Sequence, residues 1–97
     1  MQTLYVITRK DLSFPQQAVQ SGHALAQWLL DNPENDWQNQ RLIYLVVDTE
    51  KELNRLKSKL TSYCLDHSYF CEPDFEDKLT AIACREPIFS KLKKLGD

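Results

Sequence analysis

RLIYLVV, residues 41–47, is a nearly continuous apolar run. Such a run marks a strand buried on both faces, as in parallel sheets. Upstream, residues 32–40 form a polar loop containing Trp37, and Asn32-Pro33 ends whatever precedes it, because the residue before proline resists the α conformation. Residues 16–31 hold no proline and one glycine, and Val19, Gly22, Ala26, Leu29 and Leu30 recur at helical spacing. The spacing predicts a helix, with Ser13 as its cap and Pro15 in its first turn. Before a loop at 11–15, TLYVIT at 3–8 is short and rich in β-branched and aromatic residues, hence a strand. Downstream, Thr49 followed by Glu52 is a capping-box pattern, and Leu53, Leu56 and Leu60 line the buried side of the helix it opens. Residues 68–71 and 79–84 read as two further strands, close enough for an antiparallel pair. Residues 87–95 read as a last helix with Ile88, Phe89, Leu92 and Leu95 inward. The order β-α-β-α-β-β-α implies a small α/β sandwich in which strand–helix–strand crossovers favour parallel neighbours.

Ninety-seven residues make one domain, over residues 1–97. An apolar share of 42% and a charged share of 27% are those of a soluble globular chain. The net charge of −2 excludes a basic nucleic-acid footprint over the whole surface, though not a local patch. No run reaches the roughly 18 apolar residues that span a bilayer. The N-terminus lacks the basic-then-apolar pattern of a signal peptide, so a cytoplasmic location with no membrane partner is expected. Three cysteines, an odd number, argue against a disulfide framework. Cys64, His67 and Cys71 have a spacing reminiscent of zinc ligands, but no fourth Cys or His lies nearby, and neither metal nor cofactor is expected. Reduced thiols are the simpler reading, with Cys71 and Cys84 packed in or beside strands. Glycine-rich phosphate loops and a GxSxG elbow are both absent from the sequence.

Two stretches carry the chemistry. In QQAVQSGHALAQ (16–27), Gln16, Gln20, His23 and Gln27 fall on one helix face by the three-and-four rule. A solvated face with an incidental histidine reads the same way. Gly22 and Ala24 beside His23 would, however, let a ligand or another backbone approach, and imidazole titrates near neutrality. In EPDFED (72–77), Glu72, Asp74, Glu76 and Asp77 crowd around Pro73. They make either a solvated turn or, with Glu72 at a strand end where open sheets bind ligands, one wall of a site. Convergence would set Gln20 and His23 against Glu72 and Asp74 across a cleft.

With TRKDL, AVQSGHA and LTAIA in place, the chain resembles the type II peptidyl-tRNA hydrolases. Arg9, Asp11 and Leu12 match the family's Arg-x-Asp-Leu turn. Val19 to Ala24 match its Ala-Gln-Cys-x-His-Ala helix, and residues 79–84 followed by Pro87 match its last strand. The resemblance implies a mixed four-stranded sheet with helices on both faces, a three-layer sandwich, and commonly a homodimer. Gln16 stands where the family carries a lysine, and Glu72, with Asp74 as rival, where it carries an aspartate. The Gly-Thr-x-Thr stretch is missing apart from Thr80 within the strand.

The family's chemistry, cleavage of the ester joining a peptide to tRNA, needs an activated water and a stabilised oxyanion. Glu72 or His23 is the expected base, and Gln20 or backbone N–H groups the expected donors. Gln16, Arg9, Lys10, Lys91, Lys93 and Lys94 are the expected contacts to substrate and phosphate, although lysines on an amphipathic helix are also ordinary surface residues. The acidic turn works against RNA bound across it. Two alternatives stand beside the hydrolase. One is a domain acting on, or binding, another acyl or nucleotide-linked ligand; the other is a non-catalytic interaction domain. Trp37 could stack a base, or close the core or a dimer seam.

Overall fold

The computed structural model describes residues 2–88 and the backbone of residues 93–94. The chain runs β1 (Thr3–Arg9), α1 (Phe14–Asp31), β2 (Arg41–Val47), α2 (Glu50–Ser62), β3 (His67–Glu72), a 3-10 turn (Pro73–Phe75), β4 (Lys78–Cys84) and a two-residue β5 (Lys93–Lys94). The four main strands lie in the order β3-β4-β1-β2, with β5 added outside β2. β1 and β2 are parallel from Thr3↔Arg41 to Arg9↔Val47, and β4 runs antiparallel to both β1 and β3. The sheet is therefore mixed, and β1 is its central strand.

Among the described residues each face carries one helix. Leu53, Leu56 and Leu60 of α2 pack on Ile7, Leu45, Val47, Leu79, Ile82 and Cys84. Ala24 and Trp28 of α1 pack on Leu4, Val6, Ala81 and Ala83. This three-layer arrangement is the one the sequence implies. The three α2 leucines are fully buried, each contributing about 1.5–3 kcal/mol. Thr49 Oγ1 accepts the Glu52 N–H at 3.3 Å, while the Glu52 carboxylate reaches back to the Asp48 N–H at 3.4 Å, one residue beyond the usual box. Cys64 ends α2 in the left-handed region at φ 55°. The Leu65 N–H bonds the Leu60 carbonyl at 2.9 Å and the Cys64 N–H that of Thr61 at 3.1 Å, a Schellman stop. Cys64 is thus a helix terminator, and His67 Nδ1 lies 2.9 Å from the Leu65 carbonyl. Among the described residues no set of three Cys, His, Asp or Glu is placed to hold a metal, and no helix is long and apolar enough to cross a membrane.

Four expectations need correction. α1 starts at Phe14, two residues early, with Ser13 Oγ accepting the Gln16 N–H at 3.3 Å. The periodic set Val19, Leu29 and Leu30 faces outward, at 48, 42 and 74% exposure, whereas Gln17, Gln20, Ser21, Ala24 and Trp28 are buried. Trp28 sets that phase. It is the largest side chain on the helix, and Ala24 and Ser21 one and two turns earlier let α1 approach the sheet. Finally, Lys93 and Lys94 pair with Val46 and Leu45 as a strand and so cannot belong to a helix over 87–95. The remaining inward positions of that helix, apart from Ile88, lie outside the described residues. β2 is buried on both faces only in its second half, since Arg41 and Leu42 are exposed.

Candidate functional site

A bulge in the sheet creates the site. Phe70 pairs with Ala81 but Cys71 with Leu79, so Thr80 is an extra residue in β4. The extra residue turns the side chain of Thr80 toward α1 while Leu79 and Ile82 stay on the α2 side. The Thr80 hydroxyl lies 2.7 Å from Gln20 Oε1 and 3.1 Å from the Phe70 carbonyl. Its own carbonyl accepts from Thr8 Oγ1 at 2.8 Å, which fixes the bulge to the central strand.

Gln20 is the hub. It has no exposed surface, and a buried amide must satisfy both its ends. Oε1 accepts from Thr80, while Nε2 donates to Gln16 Oε1 at 3.1 Å and to Glu72 Oε1 at 3.0 Å. Next along the seam, the His23 ring stacks on Phe70 at 4.3 Å between centroids, with 11° between planes. Farther on, Ser68 Oγ donates to Asp31 Oδ2 and Gln27 Nε2 to Asp31 Oδ1, both at 2.8 Å. The polar ridge of α1 therefore meets alternate residues of β3, Glu72, Phe70 and Ser68, in three successive rungs. Gln20 meets Glu72 directly and Gln16 joins them through Gln20, while His23 stands in the neighbouring rung against Phe70.

Asp74 does not join them. It lines a separate cleft of about 340 Å³ with Arg9, Leu12, Phe75, Glu76 and Lys78. Asp74 sits in the 3-10 turn that leaves the strand directly after Glu72; beyond it, Glu76 and Asp77 both take left-handed backbone, φ 57° and 58°, and the Asp77 N–H closes the hairpin onto the Glu72 carbonyl at 3.0 Å. Arg9 is largely buried; its guanidinium holds Asp11 through two bonds of 3.0 Å and donates to the Leu79 carbonyl at 3.1 Å. It anchors the end of β1, an occupation that competes with phosphate binding. Lys10 donates its N–H to the Val47 carbonyl. Gln17 ties the same loop to α1 through the Leu12 carbonyl at 2.8 Å. Lys91 lies outside the described residues, and Lys94 is placed only as β5 backbone.

Glu72 is half-buried and His23 exposed, so both are open to solvent and to a ligand while Gln20 is not. Cys71 precedes Glu72 on β3, but it and Cys84 pack on the α2 side of the sheet, away from the α1 ridge. Burial raises the Cys71 thiol and pushes that of Cys84 to about 12, which keeps both protonated and poorly nucleophilic. The residues missed in sequence are Phe70 and the pair Ser68–Asp31. A register-shifting bulge leaves no periodic signature, so Phe70 and Ser68 were not legible as partners of the α1 ridge. Trp37 packs edge-on against Trp28 at 6.3 Å and donates Nε1–H to the Arg41 carbonyl at 3.1 Å, closing the core rather than standing free.

No family model and no curated protein matches the chain. Among solved structures it is similar to Atu0240, a protein of unknown function from Agrobacterium tumefaciens strain C58. The TM-score is 0.75 at 15% identity, over 95% of this chain and 96% of that one. A likeness at that identity is one of fold: both chains share this three-layer architecture from end to end.

Proposed function

We propose that the chain is an ester hydrolase whose reacting groups are Glu72, His23 and Gln16, with peptidyl-tRNA as substrate. The observation that supports this reading is the 3.0 Å bond from Gln20 to Glu72. It holds a solvent-reachable carboxylate in one orientation against an amide ridge, as a general base requires. Glu72 takes a proton from water as the water oxygen adds to the ester carbonyl carbon. The Gln16 amide oxygen is already committed to Gln20 Nε2, which leaves its NH2 group as the donor for the oxyanion that forms. When the intermediate collapses, the C–O bond to the ribose breaks, and the proton held by Glu72 returns to the departing oxygen directly or through His23. The peptide leaves as a carboxylic acid, whose proton is released to solvent to give the carboxylate. The narrower claim, that the acyl group is carried by tRNA, rests on the resemblance around Gln20, His23 and Ala24, with Lys10 and the lysines of residues 91–94 as phosphate contacts.

A second reading has its own support. Every polar end of Gln20 is used inside the protein, and Ser68–Asp31 forms a further rung. Such a seam serves equally as a strut joining α1 to the edge strand of a binding domain without catalysis. Release of peptide from peptidyl-tRNA by the purified chain separates the two. The hydrolase reading expects turnover, and an affinity for tRNA that weakens as salt is added. Absence of turnover together with salt-independent binding refutes it and leaves the binding domain.

A further inference from the structure

We propose that the outer edge of β3 docks an extended segment of another protein, one that carries Lys or Arg at two positions four apart with an apolar residue midway. β3 ends the sheet, with β4 on one side and, among the described residues, no strand on the other. Its backbone is turned accordingly. The Phe70 carbonyl accepts from Thr80 Oγ1 and the Glu72 carbonyl from the Asp77 N–H, so both point toward β4. Successive residues of a strand direct their N–H and C=O groups to opposite sides. Those of His67, Tyr69 and Cys71 therefore point outward, and an unpaired row of this kind is a template for a further strand. Natural edges are blunted by proline, by lysine or by short length. β3 runs six residues, HSYFCE, with neither of those residues in it, and its Tyr69 is 46% exposed. At the opposite edge the chain lays its own Lys93–Lys94 on β2.

Charge names the occupant. The side chains of Ser68, Phe70 and Glu72 face α1, and that helix has no Lys or Arg, its one charged residue being Asp31. Ser68 Oγ on Oδ2 and Gln27 Nε2 on Oδ1, both at 2.8 Å, hold the Asp31 carboxylate in place. With His67 and Tyr69 it lines a cleft of about 300 Å³. A carboxylate accepts more bonds than these two, so Asp31 is set to receive a cationic side chain. Glu72 stands four residues beyond Ser68 on the same face, about 13 Å along the strand, and the Phe70–His23 stack lies midway. In an added strand, the side chains opposite Ser68, Phe70 and Glu72 point to the same side at the same spacing. Their matched residues are basic, apolar and basic. A second copy of the chain is the poorer occupant, because antiparallel pairing centred on Phe70 sets the Asp31 end of one copy against Glu72 of the other, acid on acid. The inference stands whether or not Glu72 acts as a base, because its test reads binding alone.

Fluorescence anisotropy of the full chain with a labelled, end-blocked peptide, Ser-Val-Lys-Thr-Phe-Thr-Lys-Val-Ser, tests this. Saturable binding with a dissociation constant below about 1 mM is expected. Reordering the peptide to Ser-Val-Thr-Lys-Phe-Lys-Thr-Val-Ser turns its lysines to the other side and is expected to weaken binding at least about tenfold. N-methylation of one alternate set of peptide amides is expected to abolish binding, and of the other set to leave it, since only one set faces β3. Asp31→Asn keeps an oxygen for Ser68 and is expected to weaken binding roughly threefold to tenfold, with circular dichroism unchanged. Tyr69→Pro, which removes an outward N–H at an edge position that admits proline, is expected to abolish it. No binding up to about 1 mM would overturn the inference. So would indifference to Asp31→Asn or to the choice of methylated set. Equal affinity for the reordered peptide would overturn it by reducing the contact to diffuse charge attraction, and self-association of the chain that the peptide cannot displace would do so by giving the edge to a second copy.

Discussion

Replacing Gln20 with leucine probes the seam directly. Leucine nearly conserves the volume, so the penalty of about 2–5 kcal/mol for truncating a buried side chain to alanine is avoided, and the loss reports on polarity. Three contacts vanish, at 3.1 Å to Gln16, 3.0 Å to Glu72 and 2.7 Å from Thr80. They do not weigh equally. The Thr80 hydroxyl keeps the Phe70 carbonyl at 3.1 Å as an acceptor, and half-buried Gln16 rehydrates. The bond to the Glu72 carboxylate dominates, since a hydrogen bond to a charged group contributes about 1.5–3 kcal/mol. Water replaces part of that at a half-buried acid, leaving about 2 kcal/mol for the substitution as a whole. In a domain this small each kcal/mol shifts Tm by about 4–8 °C, so a fall of roughly 8–16 °C is expected. Thermal unfolding followed by circular dichroism reads it, and a double-mutant cycle with Glu72→Ala is expected to show a coupling of about 1 kcal/mol. A Tm within about 2 °C of wild type, or full additivity with Glu72→Ala, would refute the view that Gln20 tethers Glu72.

Other consequences follow from the same geometry. Thr80→Val keeps the shape but leaves Gln20 Oε1 without its donor; unfolding in urea is expected to show a loss of about 1–3 kcal/mol. Gly22→Ala is expected to add about 0.4–1 kcal/mol in thermal unfolding, because the added methyl meets nothing within 4 Å and the unfolded chain loses freedom. Exposed Cys64 is expected to react fastest with a thiol reagent and fully buried Cys84 only on unfolding. The Cys84 thiol is raised from 9.0 to about 12 in the folded chain. Its contribution to stability is therefore complete below about pH 9 and declines as pH rises toward 12, where the unfolded thiol releases its proton first. Denaturation midpoints measured across that window check it.

The elements were legible because their signals are local. The apolar run at 41–47, the capped helix with Leu53, Leu56 and Leu60, and the proline after Asn32 all mark structure within a few residues. The phase of α1 was not legible. Its outward stripe and its inward set of Ala24 and Trp28 obey the same 3.6-residue period, and without charges between residues 14 and 30 nothing local says which of them faces water. The weight of Trp28 was the available clue. The placing of Gln16, Gln20 and His23 along one ridge follows from spacing alone, and the expected meeting of Gln20 with Glu72 is present as a 3.0 Å bond. Asp74 lies apart from Gln20 because the chain leaves the strand after Glu72 in a 3-10 turn that contains Asp74, a local turn that the density of charge around Pro73 does not reveal. Thr80 was noted in its strand, but only the bulge gives it a partner. The Lys93–Lys94 strand was missed because helical spacing of Ile88, Phe89, Leu92 and Leu95 is blind to the edge that β2 offers.

Cleavage of peptidyl-tRNA by wild type and by Glu72→Gln tests the central claim most directly. Glutamine keeps an oxygen for Gln20 Nε2 to donate to and removes only the base, so Tm is expected to stay near wild type. Turnover is expected to fall about 10²–10⁴-fold, the range general base catalysis supplies. Equal rates in the two proteins, with folding intact in both, would contradict the assignment of Glu72.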